Sequence, residues 1–342
     1  MHAVVCPDKF RGSLSAPEAA AALAAGVRRG GIEDVRVLPL ADGGEGTLDV
    51  LLAAVGGSRR HTRVTGPLGD TVDAEYGVLA DGTAVVEMAR ASGHALVRGR
   101  PDPLRASTRG TGELIAAAAR GGCKAIIVAV GGSATTDGGL AAVEALGWRL
   151  PRVDVVVACD VTTEFLDAAR VYGPQKGASD AEVALLSRRL RTIAATYADR
   201  TGVDVRHLEH GGAAGGLAGG LAALGARLES GFDVVTDLVG LDDALEDATL
   251  VIAGEGKLDA TSLEGKVVGG VLERAQEWEV PHRAVVCGEA TDEVRAAVVA
   301  TGAAVYPLVD RVWNAGEAFA RAALLCDEAA TEATRAALGR VS

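Results

Sequence analysis

The chain has few aromatic residues: three Trp, four Tyr and four Phe make up 3% of its 342 residues. Platforms on which single-stranded bases could stack are correspondingly scarce. Basic residues are outnumbered, 34 Lys and Arg against 46 Asp and Glu for a net charge of −12, which removes the uniform positive field that general nucleic-acid binders use to release counterions. A local basic pocket remains compatible with that balance. The five cysteines (Cys6, Cys123, Cys159, Cys287 and Cys326) are odd in number, dispersed and never spaced C-x-x-C. A disulfide framework and a zinc knuckle are excluded, and buried, reduced thiols in a cytoplasm are expected. Long apolar runs are also missing: stretches such as Ala125–Val130 end at glycine or charge, far short of the ~18 residues that cross a bilayer. No membrane partner is expected. The opening MHAVVCPDKF has no basic segment ahead of its apolar run and reads as a first strand rather than a signal peptide.

What the chain does have is 49% hydrophobic content and 45 glycines without a G-x-y period, enough for a sizeable core with glycine-lined turns. At roughly 100–200 residues per domain, two domains are expected. Short β-branched runs alternate with helical patterns from the start, the rhythm of a parallel sheet covered by helices. Ser15 with Glu18 makes a capping box for a helix that Gly30-Gly31 stops. Beyond Gly56-Gly57, turn signals at Gly66-Pro67, Gly69-Asp70 and Asp81-Gly82 punctuate short alternating runs, which is antiparallel hairpin material. A second capping box at Ser179 and Glu182 opens a long helix with Val183, Leu186, Leu190, Ile193 and Tyr197 on one stripe. Parallel-strand texture returns near the carboxyl end. The expected architecture is α/β with two domains: a discontinuous Rossmann-like domain of residues 1–57 plus 230–342 with a parallel sheet, and an inserted α/β domain, 58–229, with a mixed sheet. The active site is expected in a cleft they share.

Three glycine-rich segments follow predicted strands: Asp42 to Thr47, Gly131 to Gly139, and Gly254 to Asp259. In open α/β sheets ligands bind beyond the carboxyl ends of the strands, where glycine lets backbone N–H groups approach phosphate oxygens. The alternative is that these glycines only make tight turns. No P-loop, complete G-x-G-x-x-G or protein-kinase signature occurs. Arg109 and Thr111, in STRGTGE ahead of a helix, suit an anion; an N-cap with a solvated arginine is the competing reading. Lys176 and Lys266 stand between glycines in a lysine-poor chain and suit phosphate. Asp8, Asp42, Asp137, Asp160, Glu255 and Asp259 at strand ends suit Mg²⁺ or a hydroxyl proton, although each alone also suits a cap or turn. Gly131-Gly132-Ser133-Ala134-Thr135 is a near miss to a nucleophile elbow, which keeps a serine hydrolase using Ser133 in view.

Taken together, PDKFRGSLSAPEAA, LPLADGGEGT, VTGPLGD, STRGTGELI, GGSATTDGG, ACDV, YGPQKGA, GGAAGGLAGGL and GEGKLDATSLEGK resemble, in order, the bacterial glycerate kinases of the glyoxylate-pathway type. The resemblance implies two α/β domains flanking a cleft and transfer of the γ-phosphoryl group of ATP, with Mg²⁺, to a hydroxyl of D-glycerate; a homodimer is compatible with it. A diverged member that acts on, or only binds, another small hydroxy acid is the alternative. Read with the residue chemistry, it assigns catalysis to Asp160, Lys266, Asp8 and Arg11, and nucleotide contacts to Gly131, Gly132, Ser133, Thr135, Gly138, Gly254, Glu255 and Gly256. Substrate contacts fall to Asp42, Gly43, Gly44, Arg109, Thr111 and Lys176, and metal contacts to Asp160, Asp137 and Asp259. The chain departs from the family pattern at Asp8-Lys9-Phe10-Arg11, at Thr136, after ACDV, and between Trp148 and Val153, where the family has a few tens more residues.

Overall fold

The computed structural model describes residues 1–263 and 266–339; Glu264 and Gly265, which the sequence reading placed ahead of Lys266, lie outside the described residues. Its strands are β1 (His2–Pro7), β2 (Asp34–Val37), β3 (Gly57–Thr65), β4 (Thr71–Leu79), β5 (Thr83–Glu87), β6 (Ala125–Ala129), β7 (Asp154–Cys159), β8 (Arg227–Ser230), β9 (Leu250–Leu258), β10 (His282–Ala290) and β11 (Ala304–Pro307). They form two sheets, and the chain divides into two compact units. The first comprises Met1–Asp42, Asp49–Ala54 and Val235–Ser342; the second comprises Gly43–Leu48 and Val55–Val234.

In the first unit the strand order is β11-β10-β9-β1-β2 and every pairing is parallel. Counted within the unit this is the order 2-1-3-4-5, a doubly wound sheet whose strand order reverses between β1 and β9. Ala3–Cys6, Leu250–Ala253 and Ala284–Cys287 are buried throughout, the continuous apolar runs demanded when helices cover both faces. The helix Ala16–Gly30 connects β1 to β2, with the expected capping box at Ser15 and Glu18 and a left-handed Gly31 at its end. It lies against the helix Ala322–Ala337 so closely that a Cβ at Gly26 would stand 2.1 Å from the carbonyl oxygen of Asp327.

The second unit holds a mixed sheet in the order β3-β4-β5-β6-β7-β8. The β3–β4 and β4–β5 pairs are antiparallel, joined at the expected turns, and β5 to β8 are parallel. The expected long helix is Asp180–Thr201, with Leu186, Leu190 and Tyr197 buried on its stripe and the Glu182 carboxylate accepting from the Ser179 amide at 2.8 Å. Where the segment between Trp148 and Val153 is short, Trp148 adopts a positive φ of 60°. Its ring stands edge-on to Tyr197 at 6.0 Å, and the Arg200 guanidinium lies 3.7 Å from its centroid. The Trp148 ring thus packs on the long helix through Tyr197 and Arg200.

All five cysteines are buried and free. Among the described residues no helix is long and apolar enough to cross a membrane.

The Gly26 contact is with backbone and cannot yield by a rotamer change. Gly26→Leu is expected to lower unfolding stability by about 2 kcal/mol or more, through overpacking of the helix pair. Urea denaturation followed by circular dichroism checks this; an unchanged midpoint would show that the two helices separate without cost.

Candidate functional site

In the second unit the carboxyl ends of three parallel strands converge on one set of loops. Glu87 ends β5 and is 2% exposed. One of its carboxylate oxygens accepts from the amides of Gly46 at 2.8 Å and Leu48 at 3.0 Å, and Arg90 binds the other at 2.8 Å. This explains why Gly43–Leu48 groups with the second unit. The loop after β6 lies on that segment: the Gly131 amide donates to the Gly43 carbonyl at 3.3 Å. A Cβ at Gly131 would stand 2.4 Å from the Gly44 Cα and 3.2 Å from Oδ2 of Asp160, the residue that follows β7. Gly43, Gly44, Gly131 and Asp160 are therefore brought together.

The loop Gly131–Gly139 is held from behind by the segment Gly211–Gly220. Ala214, Gly215 and Gly216 interrupt the helix Ala213–Ala223 with φ of 53°, 67° and 95°, and a Cβ at Gly215 would stand 1.9 Å from the Thr135 carbonyl oxygen. The Gly138 amide donates to the Gly215 carbonyl at 3.0 Å. Lys176 ties the loop from another side: its Nζ donates to Ser133 Oγ at 2.8 Å and to the Thr135 carbonyl at 2.6 Å. Burial pulls the Lys176 ammonium down to about 8, while Asp137 and Asp160 work to keep it charged. Lys176 is 7% exposed, so its cation acts through the loop it holds.

In the first unit, Asp8 and Glu255 flank the point where the strand order reverses. The Asp8 amide donates to the Gly254 carbonyl at 2.8 Å. Burial, together with Asp42, pushes the Asp8 carboxyl up to about 6 against the pull of Lys9, whose Nζ lies 3.5 Å from Asp8 Oδ1. Glu255 is raised to about 7, chiefly by burial and also by Asp8 and Asp259, while Ser262 and Lys266 oppose the shift. Its Oε1 is buried with no hydrogen-bond partner. Lys266 caps the helix Val267–Glu277 and its Nζ reaches Thr261 Oγ1 at 3.2 Å.

Several expected roles give way to local structure. Gly254 and Gly256 lie inside β9, not in a loop; pairing with β10 continues to Leu258 opposite Ala290. A Cβ at Gly256 would stand 2.9 Å from the Arg11 amide nitrogen, so close packing requires the glycine. The cation beside Asp8 is Lys9, which the sequence reading passed over, and Arg11 is exposed. Arg109 opens the helix Arg109–Arg120, is half exposed, and pairs with Glu113 at 3.1 Å. Thr111 is buried and donates to Ser92 Oγ at 2.8 Å.

The expected magnesium set does not form a protein cage. Asp137 accepts from the Thr108 amide at 2.8 Å, from Thr108 Oγ1 at 2.9 Å and from the Gly139 amide at 3.1 Å, so both its oxygens are occupied. Asp259 is a turn residue that accepts from the Thr261 amide and hydroxyl at 3.0 and 2.8 Å. Among the described residues no group of three His, Cys, Asp or Glu is arranged to hold a metal.

The chain is similar to proteins of one family throughout its length. The model described as "Glycerate kinase family" matches residues 3–152 and 148–338, two stretches that meet where the sequence between Trp148 and Val153 is short. The Glycerate 2-kinase of Escherichia coli K12 is 40% identical over 86% of this chain and 87% of its own length. A Glycerate kinase of Halalkalibacterium halodurans is 37% identical over 96% of both. The crystal structure of a proposed glycerate kinase 2 from Salmonella typhimurium LT2 superimposes with a TM-score of 0.82 at 35% identity, covering 99% of this chain and 98% of that one.

Two buried groups give opposite pH signatures. The Lys176 pKa is lowered in the folded state to about 8 from 10.5, so between these values the unfolded chain binds the extra proton and stability rises with pH. Lys176→Met is expected to abolish that rise in urea midpoints measured from pH 8 to 10; an unchanged slope would place the ammonium in solvent. The Glu255 pKa is raised to about 7 from 4.5, so stability falls as pH climbs through that window. Glu255→Gln should therefore gain on the wild type from pH 5 to 8, and parallel curves would refute the burial argument.

Proposed function

The chain belongs to the glycerate kinase family and is a phosphotransferase with an alcohol acceptor; we propose that it acts in the cytoplasm, transferring the γ-phosphoryl group of ATP to the 2-hydroxyl of D-glycerate. The choice of hydroxyl follows the relative named Glycerate 2-kinase. The observation that carries the chemical reading is the clamped loop Gly131–Thr135, bonded to Lys176 and lying beside Asp160.

Phosphoryl transfer leaves little covalent work to a protein; it needs donors fixed where charge spreads and a group that receives the acceptor proton. The glycine loop supplies backbone approach to phosphate oxygens, and its shape is set before any ligand arrives. Lys176, at about 8, is charged at neutral pH and fixes both Ser133 and the Thr135 carbonyl, so the loop carries a cation behind it without a flexible side chain in front. Asp160, at the carboxyl end of β7, is the acid–base candidate of this unit. Magnesium carried on the nucleotide phosphates would supply charge neutralisation there, with Asp160 as the carboxylate that would meet it. Ser133 Oγ accepts from Lys176 Nζ at 2.8 Å, which holds the hydroxyl as part of the clamped loop.

The test is ADP release with D-glycerate, together with conversion of the product by enolase, which dehydrates 2-phosphoglycerate directly. No ADP above background from folded protein overturns the reading, and a product inert to enolase overturns the choice of hydroxyl. Asp160→Asn is expected to lower kcat by about 10²–10⁴-fold with the melting temperature near wild type. Near-normal kcat would leave Asp160 as a turn residue.

A further inference from the structure

Behind the clamped loop, within the second unit, lies a cavity of about 220 Å³ that none of the roles above uses. Three segments wall it: Pro103–Ser107, Thr136–Glu144 and the long helix at Arg189 and Ile193. Pro103, Leu104, Ala106, Leu140, Ala141 and Ile193 supply its apolar part, and Arg105, Ser107, Asp137, Glu144 and Arg189 its polar part. Thr136 also lines it, is 1% exposed, and has an Oγ1 that is buried with no hydrogen-bond partner. A buried hydroxyl left unpaired costs about 1–3 kcal/mol, and it can both donate and accept. Of the two arginines that line it, Arg189 donates to the Leu104 carbonyl at 2.8 Å.

We propose that this cavity seats the purine base of the nucleotide, with the Thr136 hydroxyl reading the polar edge of the ring. The inference rests on the kinase reading above and adds the base subsite to it. A largely apolar lining with a few polar groups around it is the usual chemistry for a flat heterocycle, and the volume suits one ring system rather than a whole nucleotide. The placement is also economical in sequence. Thr136 directly follows Thr135, whose carbonyl is held by Lys176, so the residue that reads the base adjoins the loop that meets the phosphates.

Binding of ADP and of inorganic tripolyphosphate, measured by titration calorimetry without acceptor, separates base from phosphate recognition. Thr136→Val keeps the shape and deletes the hydroxyl; it should weaken ADP about 3- to 10-fold, the worth of one hydrogen bond, and leave tripolyphosphate unchanged. Ala141→Phe fills the slot and should weaken ADP about 30-fold or more, again sparing tripolyphosphate. Photolabelling of wild-type protein with 8-azido-ADP should mark peptides containing residues 103–107 or 136–144, a readout that survives if a variant fails to fold. If wild type binds ADP but both variants bind it equally, or the label maps elsewhere, the base subsite is refuted while the kinase reading stands. If wild type neither binds ADP nor releases it with glycerate, both fall.

Discussion

The candidate site in the second unit depends on backbone meeting backbone. The segments Gly43–Gly46, Gly131–Gly139 and Gly211–Gly220 approach so closely that a single added carbon at Gly131 or Gly215 would stand 2.4 or 1.9 Å from another main-chain atom. Packing of this kind leaves no side chain to yield, so the loops hold one shape. The conformational entropy lost by so many glycines is opposed by hydrogen bonds that the Gly46 and Leu48 amides donate to Glu87 and that Lys176 donates to Ser133 and the Thr135 carbonyl. Each of these long side chains is buried and satisfies backbone or hydroxyl groups that would otherwise be orphaned. Removing either would leave polar main chain unpaired in the interior, which is why a charged residue is retained there.

Both units bury ionisable groups, but of opposite charge. The first places Asp8, Asp42 and Glu255 near one another with Lys9 and Lys266 as counter-charges, and burial raises Asp8 and Glu255 toward neutrality. The second buries a lysine and lowers it, with Asp137 and Asp160 resisting. A net charge of −12 is silent on both, because each environment is set by a handful of groups within a few ångströms. Acid–base capacity near neutral pH thus arises in each unit by desolvation, the ordinary way in which a fold tunes carboxylates and amines.

Much of the fold was legible because local chemistry and tertiary demand agreed. Ser15 and Glu18, and Ser179 and Glu182, satisfy helix-end donors whatever surrounds them, and hairpin turns are dictated by a few backbone angles. The doubly wound sheet could be read from fully apolar runs at both chain ends. The site was less legible. Gly254 and Gly256 obey the same surface rule as Gly131, yet they serve close strand packing inside β9. Glu87 carries no motif; it is one more acid at the end of an apolar strand, and only the amides of Gly46 and Leu48, some forty positions away, give it a purpose. Arg109 was the exception that sequence could have settled, since Glu113 sits one helical turn on, at the spacing where opposite charges pair.

The loop Ser133–Asp137 shows why residue type alone underdetermines role. Ser133, Thr135, Thr136 and Asp137 are all small and polar, and each suits a phosphate in the abstract. In the structure Asp137 is filled by three protein donors and becomes a clamp on the start of a helix, while the Thr135 carbonyl and Ser133 hydroxyl are filled by Lys176. Thr136 alone among these retains an unfilled, buried polar atom. Where every neighbour's hydrogen-bonding capacity is met from within, the one side chain left unsatisfied is the place where the fold still has something to offer a ligand.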